Sequence, residues 1–483
     1  MIENVQTIKA HDPDSRYGED PEEQEAPANP LDSKESQRVH KRCLEWYQQE
    51  RERQAENRYQ MALDEDYYDH LQTWSEEELQ ELRSRGQAPL VFNLIKPTID
   101  WIIGTEKRTR FDWKVHPREE NDNDGAVRKT KLLKYLSDVN RTPFEFSRAS
   151  SEQVKAGLGW MEDTITPDFE EELLYSRAES WRNVLHDSTS RALDYGDARY
   201  VFRWRWLDVD IAQAFWPERA EQIRQAAVTQ DLFGPENDDD LWYLGQHFTR
   251  LGTDGSPVGM RTYVSDANLI NRRERVKLIE CWFKMPVVCE VCYGHDRLDG
   301  QVFNAGNPDM ATALRSGQIS VIRKVKMRVH VAVFTEGHVV AHDLSPFRHN
   351  RFPLTPIWCY RRARDGMPYG VIRGLRDPQD DYNKRGSKAL FILSTNRVIA
   401  DKGAVEDFNK LVEEAARPDM AIEKAAGKEV RIENNAQLAD GHIMLMERDA
   451  VHIQRSSGAT SENLGIAKNA ASGKAILALQ EQG

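Results

Sequence analysis

The hydrophobic and polar positions of this chain follow two periods, one helical and one alternating, which together predict an α+β fold. Capping signals mark two of the helices: Ser75 with Glu78 as a capping box, and Asn93 as a cap. Helices are predicted over 36–60, 76–82, 94–107, 125–138, 144–157, 208–227, 369–397 and 408–416, and from about Ser461 to Gly483. Strands are predicted over 111–117, 159–166, 198–206, 429–432 and 442–446, and through most of 276–343, where residues 335–338 predict a hairpin turn.

The longest predicted helix, residues 369–397, is the most informative element. It would contain roughly 25–28 residues, about twice the usual length of a helix in a globular protein. A small α/β module over 401–456 separates it from the last predicted helix. A long charged helix without a nucleophile or phosphate loop is typical of a structural strut rather than of a catalytic element.

Composition narrows the functional classes. Of the 483 residues 30% are charged, and the net charge of −13 argues against a general DNA-binding protein, because affinity for phosphate comes from Lys and Arg. No apolar run approaches the ~20 residues of a membrane-spanning helix, so no membrane association is expected. Residues 1–36 hold many acids, few bases and almost no large apolar residues, which predicts a disordered acidic tail that needs no partner.

Candidate metal and catalytic groups are sparse. Cys289 and Cys292, with His295 nearby, resemble half of a zinc site, but the alternation around them predicts a strand with the two thiols on opposite faces. The acidic run 238–240 lacks the ligand spacing of a calcium loop. No Ser/His/Asp signature and no phosphate-binding loop is found in the sequence, so we expect no catalytic residue, no metal and no cofactor.

A locally basic segment, residues 361–402, offers a different kind of site. The candidate DNA-channel or intersubunit contacts in it are Arg373, Arg376, Lys384, Arg385 and Lys388. Two interpretations stay open: a solvated face or ion pairs between subunits, and contact with DNA phosphates. We expect charge reversal at Arg373, Arg376 and Lys384 to impair assembly or packaging more than folding.

Several stretches of the chain contain motifs that occur together, in this order, in one known family. Residues 352–387 contain F-P-x-T-P, then P-Y-G-x-x-R, then Q-x-x-x-N-x-x-x-S. The remaining stretches are 90–117, 144–163, 186–208 and 462–483. Together they resemble the portal proteins of tailed bacteriophages, in particular the short-tailed (podovirus) type. The closest match is 352–387, and within 186–208 Ser188 stands where the family usually has Pro.

The resemblance implies a structural, non-enzymatic protein that forms a ring of about twelve copies at one capsid vertex. Double-stranded DNA would be packaged and ejected through the ring, which would be assembled in the host bacterial cytoplasm and retained in the virion. The implied partners are the terminase large subunit, the tail adaptor, capsid proteins and the scaffolding protein.

The resemblance also implies a portal-like fold with a mixed α/β wing, long stem helices and a small α/β clip. The implied ranges, after the acidic tail 1–36, are 37–365 for the wing, 366–400 for the first stem helix, 401–456 for the clip and 457–483 for the second stem helix. Because family members continue beyond the last matching motif, we expect the chain to be truncated before the C-terminal wing and crown region.

Two other functional classes stay open at this point. A DNA-packaging or DNA-processing enzyme would need a carboxylate cluster for Mg²⁺ or a phosphate loop. A monomeric DNA-binding module would use residues 361–402 and would bind duplex DNA with a steep dependence on salt. Assembly into a ring distinguishes the portal interpretation from both.

Overall fold

The computed structural model of the chain describes residues 29–71, 74–108, 113–119, 122–166, 172–231, 250–251, 257–258, 272–294, 298–304, 306–347, 349–408, 410–411, 423–433 and 436–458. The helices in these ranges are α1 Lys34–Tyr68, α2 Glu76–Ser84, α3 Ile95–Arg108, α4 Asn123–Val139, α5 Thr142–Ala156, α6 Val209–Phe215, α7 Ala220–Gln225, α8 Pro308–Arg315, α9 Arg376–Ser394 and α10 Ala436–Ser457. The strands are β1 Leu158–Ile165, β2 Leu174–Glu179, β3 Val184–His186, β4 Tyr200–Asp208, β5 Val228–Asp231, β6 Arg250–Leu251, β7 Pro257–Val258, β8 Arg272–Tyr293, β9 Ser320–Phe334, β10 Val339–Leu344, β11 Leu354–Trp358, β12 Tyr360–Arg361, β13 Pro368–Tyr369, β14 Arg397–Ala400 and β15 Val430–Glu433. The chain divides into a first unit (1–53, 183–237 and 264–354) and a second unit (54–182, 238–263 and 355–483).

The first unit is built on an antiparallel sheet in the order β10-β9-β8-β4-β3, with β5 also paired to β8. Strand β8 is 22 residues long and pairs with β9 from Ile279 to Tyr293. The β9–β10 hairpin closes where the Thr335 amide donates to the His338 carbonyl at 2.8 Å. The predicted hairpin turn and the β-rich character of 276–343 are therefore confirmed, with α8 inserted between β8 and β9.

Helices cover both faces of this sheet because successive strand residues point to opposite sides. Residues Val39, Cys43 and Tyr47 of α1 pack on one face, against Leu185, Tyr200, Phe202, Trp204, Ile279, Cys281, Phe283, Ala332 and Phe334. The opposite face carries Val276, Leu278 and Val340, which pack against Val209, Ala212 and Ile223 of α6 and α7. The aromatic and basic alternation of β4 thus follows from a sheet that is buried on both sides.

The second unit combines helices with a three-stranded sheet in the order β11-β1-β2. Helix α5 packs on β1 and β2, and α9 packs along α10. An apolar cluster joins these parts, formed by Ile95, Ile99, Ile103, Val154, Ile372, Leu375 and Ile453. The strands β14 and β15 form a separate two-stranded ribbon, with Arg397 opposite Glu433.

Predictions for the first half of the chain are mostly confirmed. The five helices predicted between 36 and 157 correspond to α1–α5, and the strands at 159–166 and 198–206 correspond to β1 and β4. Helix α1 begins at Lys34, inside the range expected for the acidic tail. The capping box is present, since Ser75 Oγ accepts from the Glu78 amide at 3.2 Å and Glu78 Oε2 accepts from the Ser75 amide at 3.0 Å.

Two predictions in this region are wrong. Residues 113–117, the described part of the strand predicted at 111–117, have no regular structure. The Val115 amide donates instead to Thr130 Oγ1 of α4 at 3.0 Å. The helix predicted over 208–227 is divided into α6, a 3-10 turn Pro217–Arg219 and α7. The division falls at Pro217, which lacks the amide hydrogen that a continuous helix requires.

The prediction of one helix over 369–397 is also wrong in its bounds. Tyr369 pairs with Tyr360 in a β12–β13 ladder, Ile372–Gly374 form a 3-10 turn, and α9 has 19 residues. The strand predicted at 442–446 lies inside α10, because a short apolar run fits a helix face as well as a strand. The final predicted helix, from Ser461, lies outside the described residues, as do residues 412–416 of the helix predicted at 408–416.

Candidate functional site: the residues around the α9–α10 helix pair

The segment that leads into α9 crosses the end of α5 at main-chain distance. The Val371 amide donates to the Val154 carbonyl at 2.9 Å, and Asn57 Nδ2 donates to the Pro368 carbonyl at 2.9 Å. A Cβ on Gly370 would overlap the Lys155 carbonyl, and a Cβ on Gly157 would overlap the main chain of Tyr369. The P-Y-G part of the motif therefore serves a close approach of two backbones.

Arg373 and Arg376 converge on one buried carboxylate of α1. Arg373 Nε lies 2.8 Å from Asp64 Oδ2 and Arg376 Nε lies 3.3 Å from Asp64 Oδ1, while Asp64 is 0% exposed. Arg376 Nη2 also donates to Gln60 Oε1 at 2.6 Å. Burial raises the pKa of the Asp64 carboxyl above its ordinary value, and the two guanidiniums oppose that rise by favouring the charged form. The pair fixes the start of α9 to α1.

Three uncharged polar residues of α9 form a ladder that holds the extended segment 88–94. Gln379 accepts from the Leu94 amide at 2.9 Å and donates to the Phe92 carbonyl at 2.6 Å. Asn383 accepts from the Phe92 amide at 2.9 Å, and Ser387 Oγ donates to the Ala88 carbonyl at 2.5 Å. The residues recur every four positions, so they lie on one side of the helix. They replace the partner strand that segment 88–94 lacks among the described residues.

The other three sequence-predicted candidates have separate partners in this unit. Lys384 Nζ lies 2.8 Å from Glu78 Oε1 of α2, and this contact lowers the pKa of the Glu78 carboxyl. Arg385 pairs with Asp381 at 2.7 Å and lies 3.4 Å from Asp449 Oδ2 of α10. Lys388 Nζ lies 5.6 Å from the centre of its neighbour's ring on α9, Phe391.

The five candidate bases are therefore not gathered on one face. Arg373 precedes α9, and it contacts α1 together with Arg376. Lys384 contacts α2, and Arg385 contacts α10. Each of these four already has a carboxylate partner within the unit. A role for these residues in the DNA channel or between subunits stays a prediction. Any such role would have to replace the ion pairs that four of them already form.

Helices α9 and α10 pack closely against each other, and the pair also carries apolar side chains on its surface. Gly386 permits this packing, since a Cβ there would lie 3.2 Å from the terminal carbon of Met446. Several large apolar side chains of the pair are nevertheless exposed, with Met444 at 69%. They are Leu390, Leu393, Leu438, Ile443, Met444 and Val451. Exposed large apolar side chains on one helix pair indicate a candidate interaction surface.

Helix α4 presents a second such surface, which the sequence analysis missed. Only Ala126 of its 17 residues is buried, while Leu132, Tyr135 and Val139 are exposed. Their spacing of three and four residues places them on one side of the helix, away from Ala126. We call these three residues the α4 stripe. The spacing of the stripe was visible in the sequence. Such a spacing predicts that the residues are buried, but it does not tell whether they are buried within the same chain or against another molecule.

The other sequence candidates do not assemble into a site. Cys289 and Cys292 are both buried, and Cys292 packs with Met310, Ala313 and Ile319. Burial raises the pKa of the Cys292 thiol, which favours the uncharged form. Within the described ranges, no group of three or more His, Cys, Asp or Glu residues is arranged to hold a metal ion, and no helix is long and apolar enough to cross a membrane. The acidic run 238–240 and His295 lie outside the described residues.

The site thus combines a buried polar network with exposed apolar side chains on α4, α9 and α10. The model of the phage P22-like portal protein family matches residues 44–483, so the chain belongs to this family. Membership implies a capsid-associated oligomeric ring with a role in bacteriophage genome packaging at the capsid vertex. The resemblance described from the sequence is confirmed. No curated protein shows a significant match to the chain.

Proposed function

We propose that the chain is a structural subunit, without catalytic activity, of a ring of about twelve copies through which double-stranded DNA is packaged and later ejected. The family match over 44–483 is the observation that carries this proposal. The exposed α4 stripe and the exposed apolar side chains of α9 and α10 support it, because a ring needs apolar surface on each subunit for its neighbours.

The ranges proposed for the wing and the first stem helix are those that the resemblance implied. Residues 37–365 would be the wing and 366–400 would contain the first stem helix, now α9. The helix that packs along α9 is α10, which begins at Ala436. We therefore propose that α10 begins the return through the stem and that the clip centres on the β14–β15 ribbon, rather than extending to residue 456 as the resemblance implied.

The proposed conduit would let DNA pass rather than hold it. The chain has a net charge of −13, and Arg373, Arg376, Lys384 and Arg385 are already paired with carboxylates. Cations that are paired with carboxylates contribute less to the counterion release that makes DNA binding tight and salt-dependent. Proposed partners are the terminase large subunit, the tail adaptor, the capsid and scaffolding proteins, and the DNA in transit.

Ring formation is the test. Mass photometry and negative-stain electron microscopy of the purified chain should show rings, and twelve copies of the 55.7 kDa chain would weigh about 670 kDa. Monomers that bind duplex DNA with a steep salt dependence, or that hydrolyse ATP or DNA, would contradict the proposal.

A variant pair tests the α4 stripe as part of the ring contact. Leu132→Glu should shift the population from rings to smaller species, because it places a charge at an apolar contact. Val127→Glu is the matched control: Val127 is 54% exposed, Leu132 is 53% exposed, and the two lie on different sides of α4. Equal ring yield from both variants would remove the stripe from the interface.

A further inference from the structure

The outer half of strand β9 carries an unusual concentration of positive charge for an acidic protein. Residues 320–328 contain Arg323, Lys324, Lys326 and Arg328 and no acid. Val325, between two of these bases, is 62% exposed. We call residues 320–328 the basic edge. Within the described residues, Glu290 of β8 is a carboxylate on this surface, with its Oε1 3.6 Å from Arg323 Nε.

The basic edge is also a free edge of the sheet. Strand β10 pairs only with residues 330–334 of β9. Asn350 continues the pairing by one step, since its side chain accepts from the Val329 amide at 2.9 Å and donates to the Met327 carbonyl at 2.7 Å. In the described part of the chain, no strand pairs with 320–326 on that side. Exposed edges are normally covered or blunted, and among the residues that the structure describes this edge is blunted by positive charge.

The N-terminal segment of the chain leaves the first unit beside this sheet. The turn Pro30–Asp32 packs next to β10, the strand adjacent to β9. The exit is fixed, because Arg219 Nη1 lies 2.9 Å from Asp32 Oδ1 and Asn29 Oδ1 accepts from the Leu31 amide at 3.0 Å. Residues 1–28 therefore start from a defined point beside β10, the strand adjacent to β9.

The charge of that segment is complementary to the edge. Five of the seven residues Glu19–Glu25 are acids and none is a base. An extended chain spans at most about 3.3 Å per residue, so Glu25 can lie about 13 Å from Asn29 and Glu19 about 33 Å from it. The tether is short enough to keep the acids at a millimolar effective concentration near β9.

We propose that the acidic run Glu19–Glu25 docks on the basic edge of β9 in the same subunit. The docking is by side-chain charge rather than by addition of a strand, because Pro21 lies within the run and has no amide hydrogen to donate. It shields the bases of the basic edge, of which Arg323 already lies 3.6 Å from Glu290 and Lys326 Nζ donates to the Gly300 carbonyl at 2.7 Å. The inference is independent of the proposed ring and does not need it.

Zero-length carbodiimide crosslinking of the full chain tests the docking directly. At low salt, Lys324 or Lys326 should be joined to carboxylates of 19–25 in at least about tenfold greater yield than Lys129, an exposed lysine of α4. The yield should fall about tenfold at 0.5 M salt, where the Debye length is only a few ångströms. Equal yield at Lys129, or no product at β9, would overturn the proposal.

Two further experiments identify which segment occupies the basic edge. In a mixture of isotopically light and heavy chains, the crosslinked peptides should pair within one copy, and mixed pairs would assign the surface to a neighbour's segment and overturn docking within the subunit. Lys324→Glu with Lys326→Glu should abolish the product. Adding Glu22→Lys and Glu23→Lys should restore it, with the charges exchanged. The wild-type salt series decides the question even if a variant does not fold.

Discussion

Charge reversal at Arg373 should destabilise the fold strongly, whereas charge reversal at Lys384, on the surface, should have only a small effect. Arg373 Nε lies 2.8 Å from the fully buried Asp64, whereas the Lys384 side chain is 54% exposed and pairs with Glu78. Arg373→Glu would place two carboxylates together away from water, and breaking a buried ion pair costs about 3–5 kcal/mol. Lys384→Glu loses an exposed pair that contributes about 0.2–1 kcal/mol.

Amide hydrogen exchange followed by mass spectrometry is the suitable assay, because it reports on each element separately. For Arg373→Glu, we expect exchange in α9 and in residues 54–68 of α1 to accelerate by about two to four orders of magnitude, as a loss of about 3–5 kcal/mol in local stability requires. Lys384→Glu should change exchange by less than about fivefold. The sequence-based expectation was that charge reversal at Arg373 and Arg376 impairs assembly or packaging more than folding, whereas their contacts with buried Asp64 predict a loss of folding stability as well.

A compensating variant tests the electrostatic cause. Replacing the cluster by apolar residues, as Asp64→Leu with Arg373→Met and Arg376→Met, should recover most of the lost protection, since apolar substitution of a whole buried ion cluster is often neutral. The reasoning is refuted if Arg373→Glu and Lys384→Glu have equally small effects. It is also refuted if the triple variant is no more protected than the single one.

Two further predictions concern a close backbone approach and acid stability. Gly370→Ala should destabilise the second unit by about 2–4 kcal/mol through overlap with the Lys155 carbonyl, whereas Gly374→Ala, with open space around it, should be neutral in the same thermal melt. Burial and the adjacent His342 lower the pKa of His330 to about 4, so the folded first unit binds fewer protons than the unfolded chain between pH 6.5 and 4. Stability should fall by about 1–3 kcal/mol as the pH drops through that window, and His330→Phe should reduce the fall; an unchanged pH profile would contradict this.

The sequence predicted elements well where local pattern and tertiary packing agree. Helix α3 is an example, because its apolar residues Ile95, Ile99 and Ile103 recur every four positions and all three are buried. It failed where a segment takes its hydrogen-bond partner from a distant element. Val115 bonds a side chain of α4, and Val371 bonds the end of α5, so neither keeps the regular structure that its neighbours in sequence favour.

The candidate site was predicted only in part for the same physical reason. The basic residues of 373–388 could be found from composition, but the partner of Arg373 lies 309 positions away and cannot be read from spacing. The ladder Gln379, Asn383 and Ser387 had a visible signal, since uncharged polar residues recur every fourth position on an otherwise charged helix. Their function was missed because the atoms they bind belong to the main chain of 88–94, which carries no sequence signature.

The ladder between α9 and segment 88–94 also determines which residues on each side of this contact can change during evolution. Gln379, Asn383 and Ser387 bind backbone atoms, so each is constrained to a side chain of the same length and polarity. The side chains of 88–94 do not enter these bonds and are free to change as long as the backbone path is kept. Aligned relatives should therefore show an invariant polar trio facing a variable segment, and compensating pairs of substitutions should be absent between them.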